Sequence, residues 1–303
     1  KINGEQYTVP AGSTILEAAR YAGIHIPTLC YLKEINEIGA CRICVVEVKG
    51  ARSLVAACVY PVAEGMEIST SSPRVFEARR KTLELILSTH AKKCLTCVRA
   101  GSCELQKLCR EFKVDDEEYY AGENIQYEVD DSAVHMYRDN NKCILCRRCV
   151  AACSKLQGIG VIGPNDRGFK THIGCAFEQN LSEVACVSCG QCVSVCPTGA
   201  LQERTTMIKE TPVDTVETDT TCSYCSVGCS LKLESYGDML IKANPDKQGT
   251  VNAGLACGKG KWGFDCSMLE NKLEEPLIKS GSDFREADYH EALVLIAKRC
   301  QSI

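Results

Sequence analysis

Twenty-three of the 303 residues are cysteine, and their spacing says more than their number. Two runs share one pattern, Cys143-x2-Cys146-x2-Cys149-x3-Cys153 and Cys186-x2-Cys189-x2-Cys192-x3-Cys196, the second followed by Pro197. Thiolates at such intervals are soft ligands that a short turn aims at one point, which is iron-sulfur chemistry first and zinc chemistry a distant second. In paired runs of this kind the fourth cysteine ligates the other cluster. One set is therefore Cys143, Cys146, Cys149 and Cys196, and the other is Cys186, Cys189, Cys192 and Cys153. Ser154 stands where the second run has proline, which bears on loop stiffness rather than ligation.

Three further groups have different spacings. Cys30 is followed by Cys41-x2-Cys44 and a distant Cys58, a long gap, a close pair and a remote fourth that favours a [2Fe-2S] cluster over four-cysteine zinc. His90-x3-Cys94-x2-Cys97-x5-Cys103 offers one imidazole and three thiols, a set that suits [4Fe-4S] or zinc equally. Spacing alone leaves open whether His90 is a ligand or a helix cap. Cys222-x2-Cys225-x3-Cys229 is completed by Cys257 after 27 intervening residues. Nineteen cysteines and one histidine thus form five four-ligand sets, expected to hold one [2Fe-2S] and four [4Fe-4S] clusters. Cys109, Cys175, Cys266 and Cys300 are left over and read as ordinary small hydrophobes. Lys259, two residues past Cys257, is either a solvated lysine or a functional one.

The elements that must position these ligands are partly legible. Asn3-Gly4 is a favoured turn pair, predicting two short strands over residues 2 to 9. Thr14-x-x-Glu17 is a capping box for a helix to about Ala22, stopped by Gly23. Val45 to Val48, Lys49-Gly50 and Leu54 to Ala57 read as a hairpin that returns the chain to Cys58. Ser72-Pro73 starts a helix whose apolar stripe, Val75, Phe76, Leu83, Ile86 and Leu87, runs to His90. Leu105 to Cys109 fits a helix face. Strands from Ser230 to Glu234 and Met239 to Lys242, turning at Tyr236-Gly237-Asp238, would bring Cys257 back to Cys222. The last residues form an amphipathic helix ending at Ile303. Because Lys1 is not an initiator methionine, a piece of a longer chain is expected.

Composition narrows the class further. So much cysteine without a signal-peptide pattern argues for a reducing cytoplasm rather than a secreted disulfide scaffold. The longest apolar run, Leu54 to Tyr60, is far short of the ~18 residues a membrane span needs. A net charge of -4 gives no basic footprint for nucleic acid, and Asp115 to Glu118 reads as a solvated acidic loop. There is no G-x-G-x-x-G after a strand, no Walker A loop and no G-x-S-x-G elbow. Electrons must therefore come from a partner that carries the flavin or nicotinamide site. Modules of ~50 to 80 residues bury little apolar surface, so clusters would be structural as well as redox-active.

The order of the groups carries a resemblance. Through about residue 208, Cys30, Cys41, Cys44 and Cys58, then His90, Cys94, Cys97 and Cys103 with Leu105-Gln106, then Cys189-Gly190-Gln191-Cys192 and Cys196-Pro197-Thr198-Gly199-Ala200-Leu201 are arranged as in one known arm. It resembles the N-terminal arm shared by the large iron-sulfur subunit of complex I, [FeFe]-hydrogenase catalytic subunits and NAD-dependent formate dehydrogenase alpha subunits. Cys222-Ser223-Tyr224-Cys225-Ser226-Val227-Gly228-Cys229, Asn252-Ala253-Gly254 and Cys257-Gly258-Lys259-Gly260 resemble the [4Fe-4S] entrance of molybdenum or tungsten bis-pterin oxidoreductases. Glu275-Pro276-Leu277-Ile278 and Tyr289-His290-Glu291-Ala292-Leu293 are similar to the opening of their catalytic domain.

The resemblance implies that His90 is a cluster ligand and that Lys259 lies between cluster and pterin. It implies an α+β string of small modules. These are a plant-type ferredoxin β-grasp domain with [2Fe-2S] (1 to 72), a one-His three-Cys [4Fe-4S] domain (73 to 135) and a bacterial double [4Fe-4S] ferredoxin (136 to 210). A molybdopterin-oxidoreductase-type [4Fe-4S] domain (215 to 270) follows, then the start of a catalytic-type domain or a tail (271 to 303). The implied role is electron relay between a flavin-containing NAD(P)-binding subunit with its small [2Fe-2S] subunit and a terminal redox site. That site would be ferredoxin, a hydrogenase or a formate dehydrogenase module, in a formate-dehydrogenase-like or electron-bifurcating complex. Any Mo/W bis-pterin would belong to a longer chain, and no complete catalytic site lies within these residues. The alternatives are the arm of an [FeFe]-hydrogenase catalytic subunit, disfavoured because the Cys222 group stands where its active cluster should be held, and a colourless zinc-stabilised structural module.

Overall fold

A computed structural model describes residues 1–114, 120, 124–204, 214–268 and 273–302. The acidic run Asp115 to Glu118 lies outside the described residues. The chain divides into two compact units, Lys1–Trp262 and Gly263–Ile303.

The first unit begins with the capping box that the sequence predicts. Thr14 accepts from the Glu17 amide and the Glu17 carboxylate accepts from the Thr14 amide, so helix Ile15–Tyr21 starts with its orphan donors satisfied. Its buried Ile15, Leu16, Ala18 and Ala19 pack with Ile26, Val46, Ala56 and Ile68. Beside it, strand Val45–Val48 pairs antiparallel with Val55–Ala56 on one edge and Ile68–Ser69 on the other. The hairpin expected over residues 2 to 9 is only an Ile2–Glu5 bridge around Asn3 and Gly4, both at positive φ. Ile2 also pairs in parallel with Ile68, which takes the edge that a longer hairpin would need.

Helix Pro73–Thr89 follows, with Ser72 Oγ accepting from the Val75 amide and His90 as its C-cap. Helix Glu104–Glu111 packs Leu105 and Leu108 against Leu83, Leu29 and Ile43, joining the helical segment to the N-terminal one. A further core of Met136, Ile162, Ile173, Leu181, Val193 and Leu201 lies under the paired cysteine runs. Short ladders frame it, Met136–Arg138 with Leu201–Glu203 and Ile162–Asn165 with His172–Cys175. Then comes a three-stranded antiparallel sheet in which Ser230–Tyr236 is central, flanked by Met239–Pro245 and by Val216–Thr221, the last a strand that sequence reasoning missed.

In the second unit, hairpin Leu277–Ser280 and Asp283–Glu286 precedes helix Tyr289–Gln301, capped by Asp288 accepting from the Glu291 amide at 2.7 Å. No described helix is long and apolar enough to cross a membrane.

Candidate metal centres

Cys30, Cys44 and Cys58 are buried and Cys41 is half-buried at the edge of the N-terminal core. Arg42, at φ 59, turns the chain between Cys41 and Ile43 and lets the close pair face one way. Cys44 Sγ lies 3.3 Å from Cys58 Sγ with no disulfide between them, and the Cys41 amide points at Cys30 Sγ from 3.5 Å. Hydrogen bonds from the Cys41 and Cys58 thiols hold Cys30 down to about 2, and the same bonds push Cys41 and Cys58 well up. Two of the four sulfurs are thus held toward the thiolate form by thiols that keep their protons, a compact set of soft donors that fits a cationic group.

In the next group, Cys94 and Cys97 both act on Cys103, whose thiol is pushed up first by burial while the Gln106 and Leu105 amides oppose it. His90 is met by the Lys142 backbone and by the Lys142–Asp139 ion pair, 2.9 Å apart. Burial, seconded by Lys142, lowers its pKa to about 4, so the ring is neutral, the form that binds metal. Its Nδ1 is buried without a hydrogen-bond partner, the kind of orphan that a metal ligand leaves when the metal is absent.

The paired runs produce two separate cavities. Cys143, Cys146, Cys149 and Cys196 wall one, with Ile144, Pro197 and Leu201 completing it. Cys153, Cys186, Cys189 and Cys192 wall the other, with Met136, Ile162 and Leu181. Each cavity therefore takes three thiols from one run and the fourth from the other. The chain crosses over through helix Arg148–Ala151 and a π-helical turn, Ala152–Leu156, that carries Cys153. Burial in these apolar walls pushes Cys143, Cys146 and Cys192 up to about 12. Backbone amides oppose this, with Leu145 donating to Cys143 Sγ at 3.4 Å and the Arg148 and Gln191 amides serving Cys146 and Cys189.

At the last group the Cys222 amide donates to the Cys229 carbonyl at 2.8 Å, and Cys222, Cys225 and Cys257 all act on the Cys229 thiol. The hairpin Ser230–Tyr236 and Met239–Pro245 makes that return, as the sequence predicts. Lys259 is exposed on helix Gly258–Trp262, directly after Cys257.

Three seams join these centres, and of their polar residues only Gln191 stood in a motif quoted from sequence, without a role. Buried Asn36 donates to the Cys30 carbonyl at 2.7 Å and to the Cys146 carbonyl at 3.0 Å. Arg99 donates to the Cys196 carbonyl at 3.0 Å, the Glu104 amide to the Pro197 carbonyl at 3.1 Å, and Arg148 grips Glu104 with two bonds of 2.8 and 3.0 Å. Gly199 permits the same seam to close, since a Cβ there would stand 2.6 Å from Cys97 Sγ. Finally Gln191 Nε2 donates to the Ala256 carbonyl at 2.8 Å and Trp262 Nε1 to the Ser188 carbonyl at 2.5 Å.

Four family models match successive stretches of the chain. They are a 2Fe-2S iron-sulfur cluster binding domain over 1–73, the NADH-ubiquinone oxidoreductase-G iron-sulfur binding region over 79–118, a 4Fe-4S dicluster domain over 142–200 and the molybdopterin oxidoreductase Fe4S4 domain over 215–266. A solved NAD+-reducing [NiFe]-hydrogenase chain is similar at 30% identity and a TM-score of 0.63, covering 67% of this chain and 86% of its own. The chain belongs to this family of iron-sulfur subunits. The NADP-reducing hydrogenase subunit HndD of Solidesulfovibrio fructosivorans is 48% identical over 207 residues, 67% of this chain and 35% of its own length. The NADPH-Fe(3+) oxidoreductase subunit alpha of Geobacter sulfurreducens is 33% identical across 100% of this chain and 35% of its own. The mitochondrial NADH-ubiquinone oxidoreductase 78 kDa subunit of Candida albicans is 30% identical across 98% of this chain and 41% of its own. The chain spans well under half the length of these curated relatives.

This iron-sulfur subunit is a multi-cluster electron-transfer protein built from small domains of mixed helix and strand, with one [2Fe-2S] and four [4Fe-4S] clusters. The donor sets fit those groups. Four-sulfur cavities, amides aimed at sulfur and a neutral buried imidazole without a partner are what anionic clusters require.

Proposed function

We propose that Cys30, Cys41, Cys44 and Cys58 hold the [2Fe-2S] cluster and that His90, Cys94, Cys97 and Cys103 hold the first [4Fe-4S] cluster. Cys143, Cys146, Cys149 and Cys196 hold the second, Cys153, Cys186, Cys189 and Cys192 the third, and Cys222, Cys225, Cys229 and Cys257 the fourth. The observation that carries the reading is the exchange of Cys153 and Cys196 between the two cavities. The domains accordingly take the plant-type ferredoxin β-grasp, one-His three-Cys, bacterial double-ferredoxin and molybdopterin-oxidoreductase forms, with the divisions given above. Each bound cluster supplies one-electron exchange at a potential the protein tunes.

The protein's own part is to hold the centres in contact. The Asn36, Arg99–Glu104 and Trp262–Gln191 seams make the Cys143 set the junction of the [2Fe-2S] and His90 sets, and continue through the Cys186 set to the Cys222 set. The subunit relays electrons between a flavin-containing NAD(P)-binding subunit, with its small [2Fe-2S] partner, and a terminal site at the Cys222 end. It works in the cytoplasm. That terminal site is formate-dehydrogenase-like, with Lys259 facing a Mo/W bis-pterin in a longer chain, or a ferredoxin- or hydrogenase-linked bifurcating module. The match over 215–266 supports the first of these.

Iron and acid-labile sulfide, measured anaerobically with molybdenum, tungsten, zinc and flavin, test the reading. About eighteen irons per chain are expected. Cys196→Ser should remove the signal lost in Cys143→Ser, and Cys153→Ser the one lost in Cys186→Ser. Stoichiometric zinc in place of iron would overturn it.

A further inference from the structure

Helix Pro73–Thr89 buries two charged side chains, Arg79 and Glu84. Glu84 is met by Arg80 at 3.2 Å and by Lys81 at 3.1 Å. Arg79 is not met in this way. It is 5% exposed, and its guanidinium donates to the Val45 carbonyl at 2.9 Å, one residue past Cys44. Strand Ile68–Ser69 pairs with Val45–Val48 only as far as Glu47, so the guanidinium meets that strand beyond the end of the ladder. The Phe112 ring packs on it with its centroid 5.9 Å from the guanidinium carbon, and Arg79 Nε is buried with no hydrogen-bond partner.

Among the described residues no carboxylate forms an ion pair with Arg79. The other acids of this helix and strand are engaged elsewhere, Glu77 with Lys81 at 3.8 Å and Glu47 with Arg74 at 3.4 Å. Burial lowers the Arg79 pKa to about 10, opposed by the Cys44 thiol and then by Glu111, which is exposed at the end of helix Glu104–Glu111. The guanidinium therefore stays charged at neutral pH. One hydrogen bond to a carbonyl needs no charge, since a glutamine amide donates as well, and a cation buried without an anion is costly. The negative charge that answers it is on the neighbouring ligand set, where a [2Fe-2S] group on four thiolates is anionic and becomes more so on reduction.

We propose that the Arg79 guanidinium raises the reduction potential of the [2Fe-2S] cluster held by Cys30, Cys41, Cys44 and Cys58. This rests on the ligand assignment above. Taking up one electron reduces one iron and adds one negative charge to that site, with no bond made or broken and the electron donor oxidised by one. A fixed positive charge beside the Cys44–Val45 peptide stabilises the reduced form. At an effective dielectric near 20, a unit charge roughly 10 Å from the added electron changes the equilibrium by about tenfold.

The test is a reductive EPR titration of the full-length protein in its complex, followed at the [2Fe-2S] signal, with dithionite as reductant and iron counted in parallel. Arg79→Gln, which keeps a donor for the Val45 carbonyl, should lower that midpoint by about tenfold in the reduction constant, about 59 mV for one electron. Arg79→Lys should hold it within about twofold, and the shift should persist at high salt because a buried charge escapes most screening. An unmoved midpoint in Arg79→Gln with full iron, or an equal fall in Arg79→Lys, overturns the proposal and leaves Arg79 a hydrogen-bond donor only. If Arg79→Gln loses iron, Glu111→Lys decides, since a helix C-terminus accepts a cation. The same signal should then rise at low salt, and an unmoved one overturns the proposal. A shifted signal that survives Cys44→Ala would overturn the ligand assignment instead.

Discussion

Asn36→Ala should separate the N-terminal module from the module carrying the paired cysteine runs. Asn36 is 3% exposed, and its amide nitrogen donates to the Cys30 and Cys146 carbonyls, residues separated from it by 6 and 110 positions. Each bond contributes about 1 kcal/mol net, and a buried carbonyl stripped of its donor costs about 1 to 3 kcal/mol. Both carbonyls belong to ligand-bearing residues in a closed seam, so the expected loss is roughly 2 to 4 kcal/mol of local stability. Since about 1.4 kcal/mol is a factor of ten, amide exchange at the seam should accelerate by about 30- to 1000-fold. Anaerobic hydrogen–deuterium exchange read by mass spectrometry should show this together in peptides spanning 28 to 36 and 143 to 149, with total iron unchanged. Asn36→Asp, which keeps the shape but sets a carboxylate against two carbonyl oxygens, should do at least as much. A change below about threefold, or one confined to the N-terminal peptide, would refute the claim that this side chain couples the two modules.

Gly190→Ala should cost roughly 2 to 4 kcal/mol, combining positive φ with overpacking against Trp262 and Lys261. Thermal unfolding and the iron of the Cys186 set report the loss, and combining it with Trp262→Ala should cost less than the sum of the two single variants, because the overlap with the ring is then removed once. Thr14→Ala should cost about 1 kcal/mol through the lost cap. The Thr14 amide holds the Glu17 carboxyl below its usual range, so this stabilisation is full above the ordinary glutamate pKa and disappears as pH falls through the lowered value. Denaturation curves against pH should show a flatter acid slope in Glu17→Gln, which keeps an acceptor for that amide but no longer titrates.

The cysteine spacings, the Thr14 and Ser72 caps and the Ser230–Tyr236 hairpin were readable because each is a local pattern with a local cause. The exchange of Cys153 and Cys196 between the two cavities has no such local cause and was expected only from the known pattern of paired runs. The hairpin at residues 2 to 9 failed because its turn is local but its strand partner is not, and Ile2 pairs with Ile68 instead. Val216–Thr221 was missed because VETDTT alternates no apolar residues, its pairing being set by Ser230–Tyr236. The seams left no periodic signal. Asn36, Arg99, Gln191 and Trp262 are single polar or aromatic residues in loops and short helices, and their partners are backbone carbonyls that any residue offers. Cys189-Gly190-Gln191-Cys192 came closest to a hint, for Gly190 and Gln191 both turn out to contact the segment around Cys257.

What distinguishes the seams is the charge of their donors. Asn36 and the pair Gln191 and Trp262 bring neutral N–H groups to carbonyls, fixing where the neighbouring centres sit without adding charge to them. The second seam brings charge: the Glu104 carboxylate meets Arg148 with two bonds, while the Arg99 guanidinium donates to the Cys196 carbonyl. Arg138, which lines the Cys143-set cavity, is likewise matched by Asp130 at 3.1 Å.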